Sequence, residues 1–247
     1  MSKIVVKSLW IGPNLSTLEI LSIKSFLKCG HRMHLYTYHP IENIPKDKDL
    51  IIKDGNTIIK YEELINLKSL QLPFSDIFRY KMLYEKGGYW VDLDMICLKK
   101  LNFSDKFVFS SENTIQKGQF RNRKGTFQPN IGILKAPRKS EFYKDVFNAC
   151  MKEVNKKVKT NIKFMVILKN FIIKYKYQNY VKPPNYFCPL NWWHTKEAFY
   201  PPCCKEKYGV EGYKIDEILE NSYTIHMWRS LMRKRHKIDP EAKYNNK

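Results

Sequence analysis

No stretch of this 247-residue chain approaches the roughly 18 consecutive apolar residues that a membrane-spanning helix requires. The opening segment, MSKIVVKSLWIGP, lacks the long apolar run and the small-residue cleavage site of a secretory signal. The expectation from both absences is a soluble, cytoplasmic protein. The cysteines at 29, 97, 150, 188, 203 and 204 form no CxxC pair, so the usual zinc and redox frameworks are missing and reduced thiols are the default. Repeats and low-complexity blocks are absent as well. Acidic residues are scarce, 24 against 44 Lys and Arg, and the resulting net charge of +20 favours polyanions or an anionic membrane surface as neighbours. The densest basic run, Arg233, Lys234, Arg235, His236 and Lys237, opens a carboxyl-terminal tail at 233–247. A solvated tail and a peripheral membrane contact are both open readings of it.

What is present describes a folded chain. Hydrophobic residues make up 43% and aromatic residues 14%, enough for one main core and far from a disordered composition. Residues 3–11 read as a strand ending at Gly12-Pro13, 15–29 as a helix ending at Gly30, and 32–38 as a second strand, an order that favours a βαβ layout. A short strand at 50–53 and a helix at 61–70 follow. Residues 75–86 have helical spacing, with Ser75 as the expected amino-terminal cap and Gly87-Gly88 as the stop, and 89–96 reads as one short apolar strand. Further strands are expected at 106–111, 128–135 and 223–228, helices at 141–154 and 161–175, and an ordered loop rich in proline and aromatics at 182–202.

The chemistry concentrates in YWVDLDM. Strand alternation would place Trp90, Asp92 and Asp94 on one side and Val91, Leu93 and Met95 on the other. Two carboxylates on one side of an apolar strand repel each other and lose hydration unless a cation or solvent compensates them. A hard divalent ion suits this pair, because Mg2+ or Mn2+ takes oxygen ligands and shares its shell between carboxylates and phosphates. An Asp-x-Asp triplet is weak evidence alone. Its position after a helix, a Gly-Gly stop and an apolar strand strengthens it, since ligands of open α/β sheets gather at the carboxyl ends of strands.

The segment SDIFRYKMLYEKGGYWVDLDMICLKKL at 75–101 resembles the hallmark region of the family 32 glycosyltransferases, which carry a DXD sugar-binding region and include initiating mannosyltransferases and α-1,4-galactosyltransferases. WIG at 10–12, QPNIGILKAPRKSEFY at 128–143 and IHMWRSLMR at 225–233 resemble that family's other blocks in the same order, the last one departing at Leu231 where a tryptophan is usual. The resemblance implies a single-domain α/β GT-A fold at 1–232, a Rossmann-like mixed sheet flanked by helices. Its donor-binding half would lie at about 1–112 and its acceptor half at about 113–232. It implies a retaining, metal-dependent hexosyltransferase using Mn2+ or Mg2+. On that pattern Asp92, Asp94 and Asn130 are the catalytic candidates, Trp10, Asp76, Arg79, Asp92, Asp94 and His226 the donor-binding ones, and Asp92, Asp94 and His226 the metal ligands.

Each candidate has a plainer reading beside it. Asp76 and Arg79, three apart on one helical face, fit an internal ion pair as well as a shared sugar contact. His226 fits a ring packed beside Trp228, Asn130 a backbone-bonding residue after Pro129, and Trp10 a core side chain. Arg229 and Lys135 are weaker candidates for diphosphate stabilisation, and Tyr186, Phe187, Trp192, Trp193 and His194 for a sugar-stacking acceptor wall. The family allows UDP-galactose, UDP-glucose, UDP-N-acetylglucosamine or GDP-mannose as donor, a UDP-sugar being favoured, and a glycan or glycolipid as acceptor. Without an anchor the chain departs from Golgi relatives, which suggests a bacterial or viral enzyme. Two other classes compete: an inactive binder of sugar nucleotide or glycan on the same fold, and a nucleic-acid-binding protein. The second leaves the acidic pair unexplained and shows no recognition signature, so no nucleic-acid partner is expected.

Overall fold

The β-branched and aromatic runs near the amino end build the parallel half of a mixed sheet. In the computed structural model, which describes residues 3–63, 74–113, 115–116, 119–120, 127–155, 164–194 and 215–229, strand β1 (Val5–Leu9) pairs in parallel with β2 (Arg32–Thr37), and β2 with β3 (Leu50–Asp54). Helix α1 (Thr17–Lys28) makes the crossover. Its start is fixed by a capping box in which the Glu19 side chain accepts the Ser16 backbone N–H at 2.7 Å.

Helix α2 (Phe74–Lys86) leads into β4 (Gly88–Val91), which joins β1 in parallel on its other side. The stop between them requires glycine: Gly87 has φ +61°, and a Cβ there would lie 2.4 Å from the Arg138 backbone nitrogen. Ser75 lies inside the first turn of α2 and is not its cap. The expected strand at 89–96 is interrupted. After Val91 the Asp92 N–H bonds the Gly132 carbonyl at 2.8 Å and Met95 N–H bonds Asp92 O at 3.2 Å, so the chain turns out of the sheet. It resumes as β5 (Met95–Cys97) in another direction. Strict alternation therefore does not govern Asp92 and Asp94.

Strand β6 (Val108–Glu112) is followed by a small hairpin, β7 (Ile115–Gln116) with β8 (Gln119–Phe120), and by the long β9 (Gln128–Ala136). β9 runs antiparallel to both β4 and β6, giving the order β3-β2-β1-β4-β9-β6. Helices α3 (Glu141–Asn155) and α4 (Phe164–Lys174) join α2 on one face of the sheet, while α1 covers the other. The first face buries Phe78, Leu83, Trp90, Phe142, Tyr143 and Leu168, the second Val6, Ile23, Phe26, Met33 and Ile133. Each such side chain contributes roughly 1.5–3 kcal/mol by leaving water.

The short α5 (Pro184–Phe187) and α6 (Ile215–Asn221) precede β10 (Thr224–His226), which pairs antiparallel with β5, His226 opposite Met95. That pairing brings the carboxyl-terminal block against the Asp-x-Asp turn. Of the helix expected at 61–70 only 61–63 is described, while Cys203, Cys204, Leu231 and the basic tail lie outside the described residues. The four described cysteines are free thiols. No helix among the described residues is long and apolar enough to cross a membrane.

Candidate active site

Asp92 is held from helix α2. The Arg79 guanidinium donates to Asp92 Oδ1 at 2.6 Å and to Asp76 Oδ1 at 2.7 Å, and stacks 4.9 Å from the Trp90 ring centroid, while Trp90 Nε1 donates to the same Asp92 oxygen at 2.7 Å. The Arg79 side chain is only 4% exposed, so it bonds two carboxylates in a place where water reaches poorly. Burial pushes the Asp76 carboxyl above its ordinary range, Arg79 opposes that rise, and the neighbouring Asp92 charge adds to it. The ion pair of Asp76 with Arg79 is thus real, and it extends to Asp92.

Asp94, two residues on, turns to a different set of partners. Its Oδ2 receives His226 Nε2 at 3.2 Å and the Arg229 backbone N–H at 3.0 Å, and its carbonyl receives Met227 N–H at 2.8 Å. Burial would raise the Asp94 pKa, but the His226 ring and these hydrogen bonds outweigh it and hold the carboxyl below its ordinary value. Burial likewise disfavours a charged His226, yet Asp94 more than offsets that and raises the imidazole pKa well above its usual range. His226 also stacks on Trp228 with centroids 3.9 Å apart, so packing and polar contact coexist. Trp228 has φ +53°, a left-handed backbone that costs a bulky residue on the order of 1–3 kcal/mol; its indole N–H anchors to Leu190 O at 2.9 Å.

Asn130 stands between the two halves. Its Oδ1 accepts Gly132 N–H at 2.8 Å, which points the amide nitrogen toward Glu112 Oε2 at 2.8 Å and His226 Nδ1 at 3.3 Å. That nitrogen only donates, so it bonds Nδ1 when that ring nitrogen is bare, while Nε2 carries the proton facing Asp94 in either charge state of the ring. The arrangement depends on a bulge: between Phe109 and Ser110 the β6–β9 register jumps from Leu134 to Asn130. Ser110 Oγ closes the bulge by donating to Asn130 O at 2.7 Å. Gly132 is required because a Cβ there would sit 2.9 Å from both Asn130 Oδ1 and Met95 Sδ. Glu112, Ser110, Gly132 and Cys188, whose Sγ lies 3.9 Å from His226 Nδ1, are absent from the sequence-based set. The glycine inside a strand was the one available signal.

Trp10 sits just beyond β1, part-buried, its ring 5.4 Å from the Arg229 guanidinium carbon. Arg229 Nε lies 2.8 Å from the buried Glu19 carboxylate, so the carboxyl-terminal block is tied to α1 as well as to Asp94. Lys135 does not reach the site. Antiparallel pairing puts it opposite Tyr89, at the far end of β4, where it donates to the carbonyls of Phe103 and Asp105 at 2.6 and 2.7 Å. Phe187 is fully buried and packs on Phe103, which makes it core and not part of an acceptor wall. Tyr186 packs against Phe103 and Tyr223, Trp192 and Trp193 meet edge to face at 5.2 Å, and the His194 side chain lies outside the described residues.

The donor set fits a hard cation only in part. Among the described residues no group of three or more His, Cys, Asp or Glu gathers to hold a metal, because the turn sends Asp92 and Asp94 to opposite partners. Each carboxylate nevertheless keeps one oxygen that these partners do not use, and the side chains are 23% and 18% exposed. Two carboxylate oxygens suit an ion whose shell phosphate and water complete.

An open mixed sheet with two turn aspartates at the carboxyl end of a parallel strand, backed by a buried arginine, is the layout of a GT-A-like glycosyltransferase. Residues 23–119 match the family described as "Glycosyltransferase sugar-binding region containing DXD motif", and residues 176–246 the "Alpha 1,4-glycosyltransferase conserved region". Two glycosyltransferase family models, one of them carrying the DXD sugar-binding region, thus match successive parts of the chain. Among solved structures, the one titled "PaToxG Glycosyltransferase" superposes with a TM-score of 0.50 over 90% of this chain and 88% of that chain, at 13% identity, a likeness of fold alone. No curated protein matches the chain. Divalent-metal dependence is general to the DXD family.

Proposed function

We propose that this enzyme transfers a hexose from a nucleotide-sugar donor, a UDP-sugar in preference to GDP-mannose, to a glycan or glycolipid acceptor with retention of anomeric configuration. The observation that carries the reading is the placement of Asp92 and Asp94 at the carboxyl end of the parallel half-sheet, each immobilised by its own buried partners. Asp92 and Asp94 would hold Mn2+ or Mg2+, which, when bound, neutralises charge developing on the leaving diphosphate.

The chain's own groups do the positioning. Arg79 and Trp90 fix the direction of the Asp92 carboxylate, and His226 with the Arg229 amide fixes that of Asp94, so neither reorganises during reaction. Asp76 and Arg79 serve the donor side by holding Asp92, and Asn130 by contacting His226, while Trp10, beyond β1, suits the nucleobase. No side chain is assigned as a nucleophile, and Cys188, at 1% exposure and with its thiol pushed up by burial, is a poor one. The donor-binding half at about 1–112 and the acceptor half at about 113–232 share one sheet, so both substrates would approach the same edge.

The test is release of nucleotide from UDP-galactose, UDP-glucose, UDP-N-acetylglucosamine and GDP-mannose, with Mn2+ or with chelator, by the wild type and by Asp94→Ala. Metal-dependent turnover of one donor is expected, falling roughly 10²–10³-fold in the variant, the scale of losing one fixed electrostatic contact. Donor binding without turnover in any acceptor mixture would instead mark an inactive binder. NMR of the product's anomeric centre decides retention.

A further inference from the structure

We propose that Glu112 is a positioning residue of the transfer reaction, acting through Asn130 on His226 and Asp94. The proposal rests on the reading of Asp94 as part of the donor site. Glu112 ends β6, two residues beyond Ser110, the residue that closes the β9 bulge, and its carboxylate accepts from Asn130 Nδ2 at 2.8 Å. The remaining contacts of the Asn130 amide are Gly132 N–H at 2.8 Å on its oxygen and His226 Nδ1 at 3.3 Å beside its nitrogen. A continuous polar path therefore runs from Glu112 through Asn130 and His226 to Asp94 Oδ2, the last step being 3.2 Å.

The physical role of the carboxylate follows from what the amide is made to do. Asn130 is 4% exposed, so its nitrogen needs protein acceptors for both hydrogens. His226 Nδ1 at 3.3 Å is a long contact, and the charged acceptor at 2.8 Å is the stronger of the two. Glu112 thus sets the rotation of the amide about its side chain, and the amide in turn meets the Nδ1 edge of the His226 ring, whose face is stacked on Trp228. Without Glu112 the nitrogen swings toward a single partner and the imidazole loses its lateral constraint. Asp94 keeps its Arg229 and backbone contacts, so the site would still bind donor but hold the carboxylate less firmly in the reacting geometry.

The experiment compares wild type, E112A, E112Q, N130A and E112A/N130A for Mn2+-supported nucleotide release from the four donors named above. E112A is expected to lower kcat about 10- to 100-fold, the range seen for partners that orient a ligand residue, with donor KM within about twofold. E112Q, whose amide oxygen accepts the same bond, should recover most of kcat, and E112A should add nothing to N130A, because the two act in series. Unchanged kcat in E112A, equal losses in E112A and E112Q accompanied by a raised KM, or additive losses in the double variant would each overturn the proposal. If E112A does not fold, E112D serves: one methylene shorter, it should also lose kcat, and wild-type kcat in E112D overturns the proposal. Wild type inert toward all four donors overturns the donor reading and this proposal together, whereas an active wild type with an unaffected E112A overturns this proposal alone.

Discussion

The two aspartates of one turn are held by systems of different origin. Asp92 is secured by Arg79, 13 residues away, through a buried charge network on one helix and one strand. Asp94 is secured by His226 and Arg229, 132 and 135 residues away, through a strand pairing and a β-bulge. The first holds a carboxylate with a buried cation that it shares with Asp76, which belongs to folding as much as to function. The second pairs a buried carboxylate with an imidazole whose pKa it raises, and adds backbone N–H groups that remain if the ring is changed.

The comparison is broken or sharpened first at its most asymmetric point. Arg79→Ala leaves Asp76 and Asp92 without their cation and should destabilise the fold by about 3–5 kcal/mol in urea denaturation. His226→Gln keeps a donor in place and should lose less, about 1.5–3 kcal/mol, the scale of a hydrogen bond to a charged group. Equal losses would mean that both sides are structural. Next comes Gly132→Ala, which drives a Cβ into Asn130 Oδ1 and Met95 Sδ at 2.9 Å and so disturbs the hinge between the two systems. A loss of about 1–3 kcal/mol is expected, the cost of overpacking, together with a fall in nucleotide release. Full activity in this variant would uncouple the bulge from the site.

The smallest effect is a control outside both systems. His31 is buried between α1 and β2, its Nε2 accepting Leu101 N–H at 3.1 Å, and burial lowers its pKa to about 4. Because the unfolded chain binds this proton near 6.5, stability from His31 is complete above 6.5 and is lost as pH falls toward 4. His31→Gln should flatten the stability-versus-pH curve over that window and leave nucleotide release at neutral pH unaltered. A variant that changed turnover would place His31 in the site's network.

The difference in origin also explains what could be read from sequence. The Asp92 side lies in one contiguous stretch, where helical spacing pairs Asp76 with Arg79 and a Gly-Gly stop announces the strand. The sheet was legible for the same reason, apart from the interruption after Val91. That break is dictated by Gly132 O, on a strand far along the chain, so local alternation could not foresee it. The Asp94 side was legible only through family resemblance, which named His226 and Asn130 without their connection. Glu112 and Ser110 carry no signal of their own, since their importance arises from a register jump that no single segment encodes. Lys135 and Phe187 mark the opposite error, where a suitable residue type faces the wrong end of a strand or the core.

The left-handed Trp228 has a consequence for how the site can be watched. The amides on either side of it, Met227 and Arg229, both donate to Asp94, one to the carbonyl and one to the carboxylate. A strained residue clamped between two such bonds relaxes when either is released, so the pair behaves as a reporter wired to the carboxylate. Hydrogen–deuterium exchange at those two amides would register any engagement of Asp94 directly, before a glycosidic bond is made or broken.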